Sequence, residues 1–342
     1  MSVKVIHWGL GAMGGGMAEL TAKKQGITSV GAIDIDPNRV GKILGDIFEG
    51  QSKDVIIEEN PEGVLSKEAD LVIIATGSFT KEVFPQIKLA LENKKNVICI
   101  AEEMAYPQQQ EPELAEEIDK IAKENGVTVL GTGINPGFVL DTLIIALTGV
   151  CMDVEKIEAA RINDLSPFGP TVMKTQGVGT TVEEFNKGIE EGYIVGHVGF
   201  QESLGLITKA LGWELDEIKE TKEPIISNTY RKTKYVEVQP GMVAGCKHIA
   251  YGIKDGKTII KLEHPQQVLP ELEGVNTGDY INVFGTPNVN MAIKPEIPGG
   301  IGTIAMAVNS IANVINADPG LTTMAELPVP AAILGDIKKM LK

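Results

Sequence analysis

Two adjacent glutamates, Glu102 and Glu103, close the apolar run NVICIA and lead into Met104, Ala105, Tyr106 and Pro107. A carboxylate at the mouth of a buried strand loses part of its hydration, holds its proton more tightly, and can accept and return one near neutral pH. Strand alternation sends the two to opposite sides, so one of the pair is expected to serve as acid/base while the other caps the next helix or meets solvent. A second group, Gly9, Leu10, Gly11, Ala12, Met13 and Gly14, follows the β-rich VKVIHW and opens the helix-compatible GGMAELTAKKQG. Gly9 permits a tight turn, Gly11 lets backbone approach a pyrophosphate, Gly14 allows close helix-to-strand packing, and the helix start attracts phosphates. Asp34 ends ITSVGAID about 20 residues further on, where a dinucleotide-binding sheet places the acid that holds the ribose hydroxyls. The chemistry implied is hydride exchange with NAD or NADP. Asp34 favours NAD, whereas Asn38 and Arg39 in IDPNRVGK keep a 2′-phosphate acceptable.

These residues need a scaffold, and the first third of the chain supplies one. ADLVIIATGS, KEVFPQIKLALENKK, NVICIAEE, EPELAEEIDKIAKENG and VTVLGTGINPG alternate strand with helix, the rhythm of a doubly wound parallel sheet. Ligands bind beyond the carboxyl ends of such strands, which aligns Thr76, Gly77 and Ser78, the two glutamates, and Asn135, Pro136 and Gly137 along one rim. From about residue 134 the rhythm changes. GINPGFVLDTLIIALTGVC opens a long apolar helix after an Asn-Pro-Gly turn, and KIEAARIND reads as a strand carrying Arg161 and Asn163. The Gly/Pro-rich SPFGPTVMKTQGVGTTVEEFNKG is a loop region with a helix near 182–191, and HVGFQESLGLITKALGW is amphipathic. KYVEV, CKHIAYGIKDGKTIIKLEHP and DYINVFGTPNVNMAIKP are β-rich, with KDGK a hairpin signal. GGIGTIAMAVNSIANVINADPG is a small-residue helix, and an extended tail follows. The expected architecture is an α/β dinucleotide-binding domain (1–134), an α+β substrate and dimerisation domain around an open sheet (135–298), and a C-terminal helix and tail (299–342).

Arg161 within an apolar strand requires an anion, either an acid of the chain or a substrate carboxylate. Pro136, Phe138, Asn163, Phe168, Gln176, His197 and Thr303 complete the candidate substrate-binding set. His7, His197, His248 and His264 are scattered without metal-ligand spacing, so no metal is expected. Cys99, Cys151 and Cys246 are expected to be reduced. A net charge of −15 excludes a nucleic-acid partner. No apolar stretch approaches the roughly 20 residues of a membrane helix, and no targeting segment stands out, so a cytoplasmic protein is expected.

The glycine turn, VGAIDIDPNRVGK, CIAEEMAYP, GTGINPGFVLDTL and GGIGTIAMAVNSIANVINADPGLTTMAELP together resemble the 2,4-diaminopentanoate dehydrogenases. These lie in the dihydrodipicolinate-reductase-like superfamily, close to the native amine dehydrogenases. The resemblance spans essentially the whole chain; E-E-x-x-Y-P and N-P-G-F-x-x-D carry it more specifically than the glycine turn. It implies a homodimer with an N-terminal Rossmann domain, a C-terminal helix returning to that domain, and Glu102 or Glu103 as acid/base. It implies oxidative deamination of 2,4-diaminopentanoate to 2-amino-4-oxopentanoate and ammonia, reversible as reductive amination of a ketone. Asn135, Pro136 and Gly137 stand where dihydrodipicolinate reductase carries a histidine-and-lysine signature, which argues against cyclic-imine reduction. The alternatives are reduction of another small ketone or imine and a non-catalytic nucleotide-binding regulator.

Overall fold

The computed structural model describes residues 2–342. The chain divides into two compact units, one of residues 1–138 and 299–342 and one of residues 139–298.

The first unit begins with β1 (Val3–Trp8), α1 (Ala12–Ala22) and β2 (Ile27–Ile33). Two short helices, α2 (Leu44–Ile47) and α3 (Pro61–Leu65), flank the two-residue β3 (Ile57–Glu58). Then come β4 (Leu71–Ile74), α4 (Thr80–Glu92), β5 (Asn96–Cys99), α5 (Pro112–Asn125) and β6 (Thr128–Gly131). Local chemistry sets the ends of α5. Pro112 occupies its first turn, where no N–H is needed, and Gly126 closes it at φ +69°.

The second unit contains α6 (Thr142–Thr148), β7 (Asp153–Asp164), α7 (Pro170–Thr175), α8 (Val182–Glu190) and α9 (Phe200–Leu211). It continues with β8 (Glu217–Ile226), a ribbon of β9 (Arg231–Lys232) and β10 (Glu237–Val238), and the long β11 (Val243–Lys254) and β12 (Lys257–Gln267). β13 (Gly278–Thr286) and β14 (Val289–Ile293) complete it. Six strands form a mixed sheet in the order β14-β13-β7-β12-β11-β8, with β7 and β12 the parallel pair. The KDGK signal is the β11–β12 hairpin, with Asp255 and Gly256 both at positive φ. Apolar residues of the 134–148 stretch do not form one long helix. The Asn-Pro-Gly turn is present, with Gly137 at φ +118°, but the chain continues in turns as far as Asp141, and α6 begins only at Thr142, whose N–H donates to the Asp141 carboxylate.

The chain then returns to the first unit as α10 (Gly299–Asn309), α11 (Ile311–Asn316) and β15 (Gly320–Thr322). The resulting parallel sheet has seven strands in the order β15-β6-β5-β4-β1-β2-β3. Alternate residues of its strands feed two cores. Ile6, Val72, Ile74, Val97 and Val129 pack with Val83, Ile87 and Ile118 of α4 and α5. Val3, Val5, Leu71, Ile73, Ile98 and Leu130 pack with Met17 of α1 and with Met306, Val308, Ile311 and Val314 of the returning helices. Gly15 and Gly16 cost α1 about 1 kcal/mol each in helix propensity. The Phe48 ring and the Ile304 side chain fill the spaces where their Cβ atoms would stand. Burying such a side chain contributes about 1.5–3 kcal/mol, so the packing outweighs the propensity.

At Gly131, the last residue of β6, a Cβ would stand 1.7 Å from the Met104 carbonyl oxygen. Backbone cannot yield as a side-chain tip does. Gly131→Ala is expected to destabilise the protein by about 1–3 kcal/mol, measured as a lowered urea midpoint at unchanged m. An unchanged midpoint would mean that the turn above β6 is not packed as described.

Candidate active site

The carboxyl ends of β1, β2, β4, β5 and β6 form one rim of the first unit. Gly9 turns the chain out of β1 at φ +86°, and a Cβ on Gly14 would lie 1.8 Å from the Gly9 carbonyl oxygen, so α1 rests directly on the turn. Gly11 differs, because a Cβ there meets nothing within 4 Å. The first N–H groups of a helix have no intrahelical partner, and at α1 no side chain caps them and no acid occupies the first turn. Open space at Gly11 beside uncapped N–H groups fits a pyrophosphate. Leu10, Ala12 and Met13 belong to the same turn and first helical residues.

Asp34, 7% exposed just beyond β2, accepts from Leu10 N–H at 2.7 Å and from Asp36 N–H at 2.8 Å. Its carboxylate is thereby tied back to the glycine turn. Arg39 reaches Asp34 at 3.3 Å and Asp36 at 3.4 Å, while the Asn38 amide donates to Asp36. Beyond β4, the Thr76 hydroxyl donates to the Gln86 side chain, and the Glu82 carboxylate hangs over Gly77. Beyond β6, the N–H of Ile134, next to Asn135 and Pro136, donates to the Thr303 hydroxyl of α10 at 3.3 Å. Thr303 therefore lies at this rim. Phe138 packs against the core beneath the sheet.

The glutamates do not continue strand alternation as the sequence suggested. β5 stops at Cys99, and Glu102–Ala105 forms a single 3₁₀ turn. Glu103 points inward: its N–H donates to the Ser78 carbonyl at 3.1 Å, and its carboxylate accepts from Thr80 N–H, the start of α4, at 2.7 Å. It occupies the capping position that Phe79, the residue before α4, cannot fill. The sequence left open which of the two is the acid/base; Glu103 is the one bound into the start of α4. Glu102 is half-buried, and the Ser78 hydroxyl is among the groups that act on its carboxyl. Burial pushes its carboxyl above the ordinary carboxylate range, reinforced by the charges of Glu103 and Glu82, and outweighs the hydrogen bonds that act the other way.

In the second unit, the Arg161 guanidinium donates to Asp279 at 2.6 Å and to the Ile297 carbonyl at 2.5 Å. Arg161 and Asp279 are 2% and 0% exposed. A buried cation left without a counter-charge is strongly destabilising, and here an acid of the chain supplies it. Of the two anions that the sequence left open for Arg161, the structure shows the acid of the chain. Asn163 follows on the same face of β7, its buried amide oxygen without a hydrogen-bond partner among the described residues. Gln176 donates to the Gly196 carbonyl at 2.7 Å, and its own amide oxygen is likewise buried and unmatched. Phe168 packs with Leu165, Met173 and Val178.

Histidines that look scattered in sequence converge here. The His197 ring meets Phe200 and His264 edge-on at 4.8 and 4.9 Å, and the backbone N–H of His197 donates to His248 Nδ1 at 3.0 Å. His264 Nδ1 pairs with the Arg161 carbonyl oxygen at 2.7 Å, and His248 Nε2 with Glu220 at 2.8 Å. Burial, with smaller contributions from neighbouring cationic groups, depresses His197 well below the usual imidazole value and His264 to about 3. Both rings are neutral at pH 7. The signal for His248 and His264 was their placement on inward-facing positions of two apolar strands, where they pair directly. Among the described residues no group of three or more His, Cys, Asp or Glu is arranged to hold a metal ion, and no helix is long and apolar enough to cross a membrane.

A parallel sheet with an uncapped glycine turn, a tethered acid beyond the second strand and a half-buried glutamate on the rim defines a Rossmann-type oxidoreductase. Residues 138–342 match the profile of the 2,4-diaminopentanoate dehydrogenase C-terminal domain. The 2,4-diaminopentanoate dehydrogenase of Acetoanaerobium sticklandii is 52% identical over 99% of this chain and 97% of its own. The chain belongs to the 2,4-diaminopentanoate dehydrogenase family and is an oxidoreductase acting on amines. An amine dehydrogenase of Streptomyces virginiae is 22% identical over 97% of this chain and 98% of its own. The solved structure of an amine dehydrogenase from Mycobacterium smegmatis superposes with a TM-score of 0.85 at 26% identity, over 97% of both chains.

The raised proton affinity of Glu102 has a consequence for stability. The folded state binds this proton more tightly than the unfolded chain, so ionising Glu102 destabilises the fold. The penalty is absent below the ordinary value of 4.5 and complete above the raised one. Glu102→Gln is therefore expected to raise the thermal midpoint at neutral pH and to lose that gain as the pH falls to about 4. A midpoint that drops at neutral pH would contradict this burial.

Proposed function

We propose that this enzyme deaminates 2,4-diaminopentanoate at its 4-amino group, giving 2-amino-4-oxopentanoate and ammonia, and runs in reverse as reductive amination. The reading rests on Glu102, a half-buried carboxylate at the rim, beyond the end of β5, whose proton affinity is raised by burial. The 52% identity to a relative of that name supports the substrate.

The glycine turn, Asp34 and the β4 rim residues Thr76 and Gly77 would hold a nicotinamide dinucleotide, with Asn135 at the neighbouring strand end. That group, when bound, accepts the hydride from the amine-bearing carbon. Glu102 takes the proton that frees the amine lone pair and releases it to solvent, which returns the side chain to its ionised form. Its carboxylate then lies beside an iminium and stabilises it electrostatically. Glu102 next deprotonates the water that attacks the iminium carbon, and returns a proton as ammonia leaves. Each step creates or moves positive charge, and a carboxylate suits all of them. Asn163, Gln176 and His197, neutral polar groups of the second unit, stay in our reading as candidate substrate-binding residues. Pro136 and Thr303 belong to the rim beside Asn135.

Asp34 favours NAD, with its oxygens turned to backbone donors. Arg39, 30% exposed and shared between two acids, can turn to a 2′-phosphate, so the reading includes use of NADP. From the family likeness alone it extends to a homodimer in the cytoplasm.

The test is reduction of NAD or NADP by 2,4-diaminopentanoate, and ammonium-dependent oxidation of NADH by the corresponding ketone. Glu102→Gln is expected to lower the rate by about 100-fold or more while still binding NADH, followed by fluorescence. Near-normal turnover in that variant, or ketone reduction indifferent to ammonium, would discard the reading. Gly11→Val is expected to leave the thermal midpoint unchanged and to weaken NADH binding by about ten-fold or more, equivalent to about 1.4 kcal/mol. Equal affinity would move the nucleotide away from the glycine turn.

A further inference from the structure

We propose that Ser78 and Glu103 are positioning residues for Glu102: they lock the loop after β4 to the 3₁₀ turn and aim the Glu102 carboxylate at the rim. This rests on the acid/base reading of Glu102. Residue Glu103 spans the join twice, through its N–H to the Ser78 carbonyl at 3.1 Å and through its carboxylate from the Thr80 N–H at 2.7 Å. It is 8% exposed, so both bonds form away from bulk water, where leaving a polar group unmatched costs about 1–3 kcal/mol. The start of α4 depends on this distant acid, since Phe79 brings no capping oxygen. The Ser78 carbonyl is held by Glu103, and the Ser78 hydroxyl is the neighbouring group that favours the ionised Glu102 carboxylate. Below, Met104 N–H closes the turn on the Ala101 carbonyl at 3.0 Å, and Gly131 supports it from β6. The two neighbours of Glu102 thus share one rigid corner and act on its proton with opposite sign. The Ser78 hydroxyl favours the ionised carboxylate, whereas the negative charge of Glu103 favours the protonated one.

Other titratable groups around the corner are few. Glu82 of α4 acts in the same direction as Glu103. Cys99 at the end of β5 is a thiol pushed up to about 12 by burial and carries no charge. Lys81 lies within electrostatic reach of Glu103 but is ion-paired with Glu111.

The experiment is the pH dependence of kcat/KM for amine oxidation in the full-length enzyme, read at its acid limb, in Ser78→Ala, Ser78→Thr, Glu103→Gln and Glu102→Gln. Ser78→Ala is expected to move the acid limb to higher pH by about half a unit, a three-fold loss of rate on that limb. Ser78→Thr, which keeps the hydroxyl, restores it. Glu103→Gln keeps an oxygen for the Thr80 N–H and removes the charge, so its limb moves to lower pH. A merely structural role lowers rate or stability without opposed displacements. Limbs that stay in place or move together in Ser78→Ala and Glu103→Gln, with Glu102→Gln inactive, overturn the positioning role alone. Turnover that persists in Glu102→Gln removes the acid/base reading and this proposal with it.

Discussion

Holding a carboxylate half out of water while other negative charges stand close by is unfavourable, and the first unit is organised around doing so at Glu102. In water Glu102 would be fully ionised at neutral pH and a poor proton donor. At the strand mouth, burial narrows the gap between its charged and neutral forms. The local negative potential also suits the substrate class. Ammonium, iminium and the departing amine are cationic, and a site with acids on one side favours them over neutral analogues. The free energy lost at this corner is offset by the two apolar layers that enclose the sheet.

Those layers explain why a corner so poorly solvated keeps its shape. β4 and β5 are four-residue strands with hardly any exposed surface, and their alternate residues feed both cores. A strand fixed on both faces cannot shift register without turning every apolar residue the wrong way. Loops that leave such strands start from fixed points, and the loop after β4 and the turn after β5 meet as neighbours because β4 and β5 pair in register. Glu103 then needs only short bonds to join them. The second unit follows a different logic. Its sheet carries a row of buried polar groups, from Asp279 and Arg161 through His264 to His248, each matched by its neighbour instead of by water.

What could be read from the sequence was what depends on near neighbours. The glycine turn, Asp34, the alternation of strand and helix, and the position of the glutamates at a strand end all follow from local backbone demands. Partners far apart in the chain were not readable. Choosing between Glu102 and Glu103 requires knowing that Thr80, 23 residues away, offers its N–H to the second. The Arg161 side chain demanded an anion, yet nothing local identifies Asp279, 118 residues further on. Strand β8 escaped notice because as the edge of its sheet it carries Glu217, Lys219, Glu220, Lys222 and Glu223, which hides the period of its apolar residues. Strand β15 has three residues, too few for any pattern. The helix after the Asn-Pro-Gly turn was read too long because hydrophobicity alone does not reveal that the chain stays in turns up to Asp141.

The return of α10, α11 and β15 to the first unit has a bearing on how the chain is made. β15 completes the sheet beside β6 only after some 190 intervening residues have been synthesised, as the Thr128 hydroxyl bond to the Asp318 carbonyl shows. Until then one face of the sheet, with Val5, Leu71, Ile73 and Ile98, lacks its largest cover. A nascent chain on the ribosome therefore carries an uncovered greasy surface for most of its translation. Such surfaces attract chaperones and unwanted self-association alike, and closing so long a loop slows the final docking.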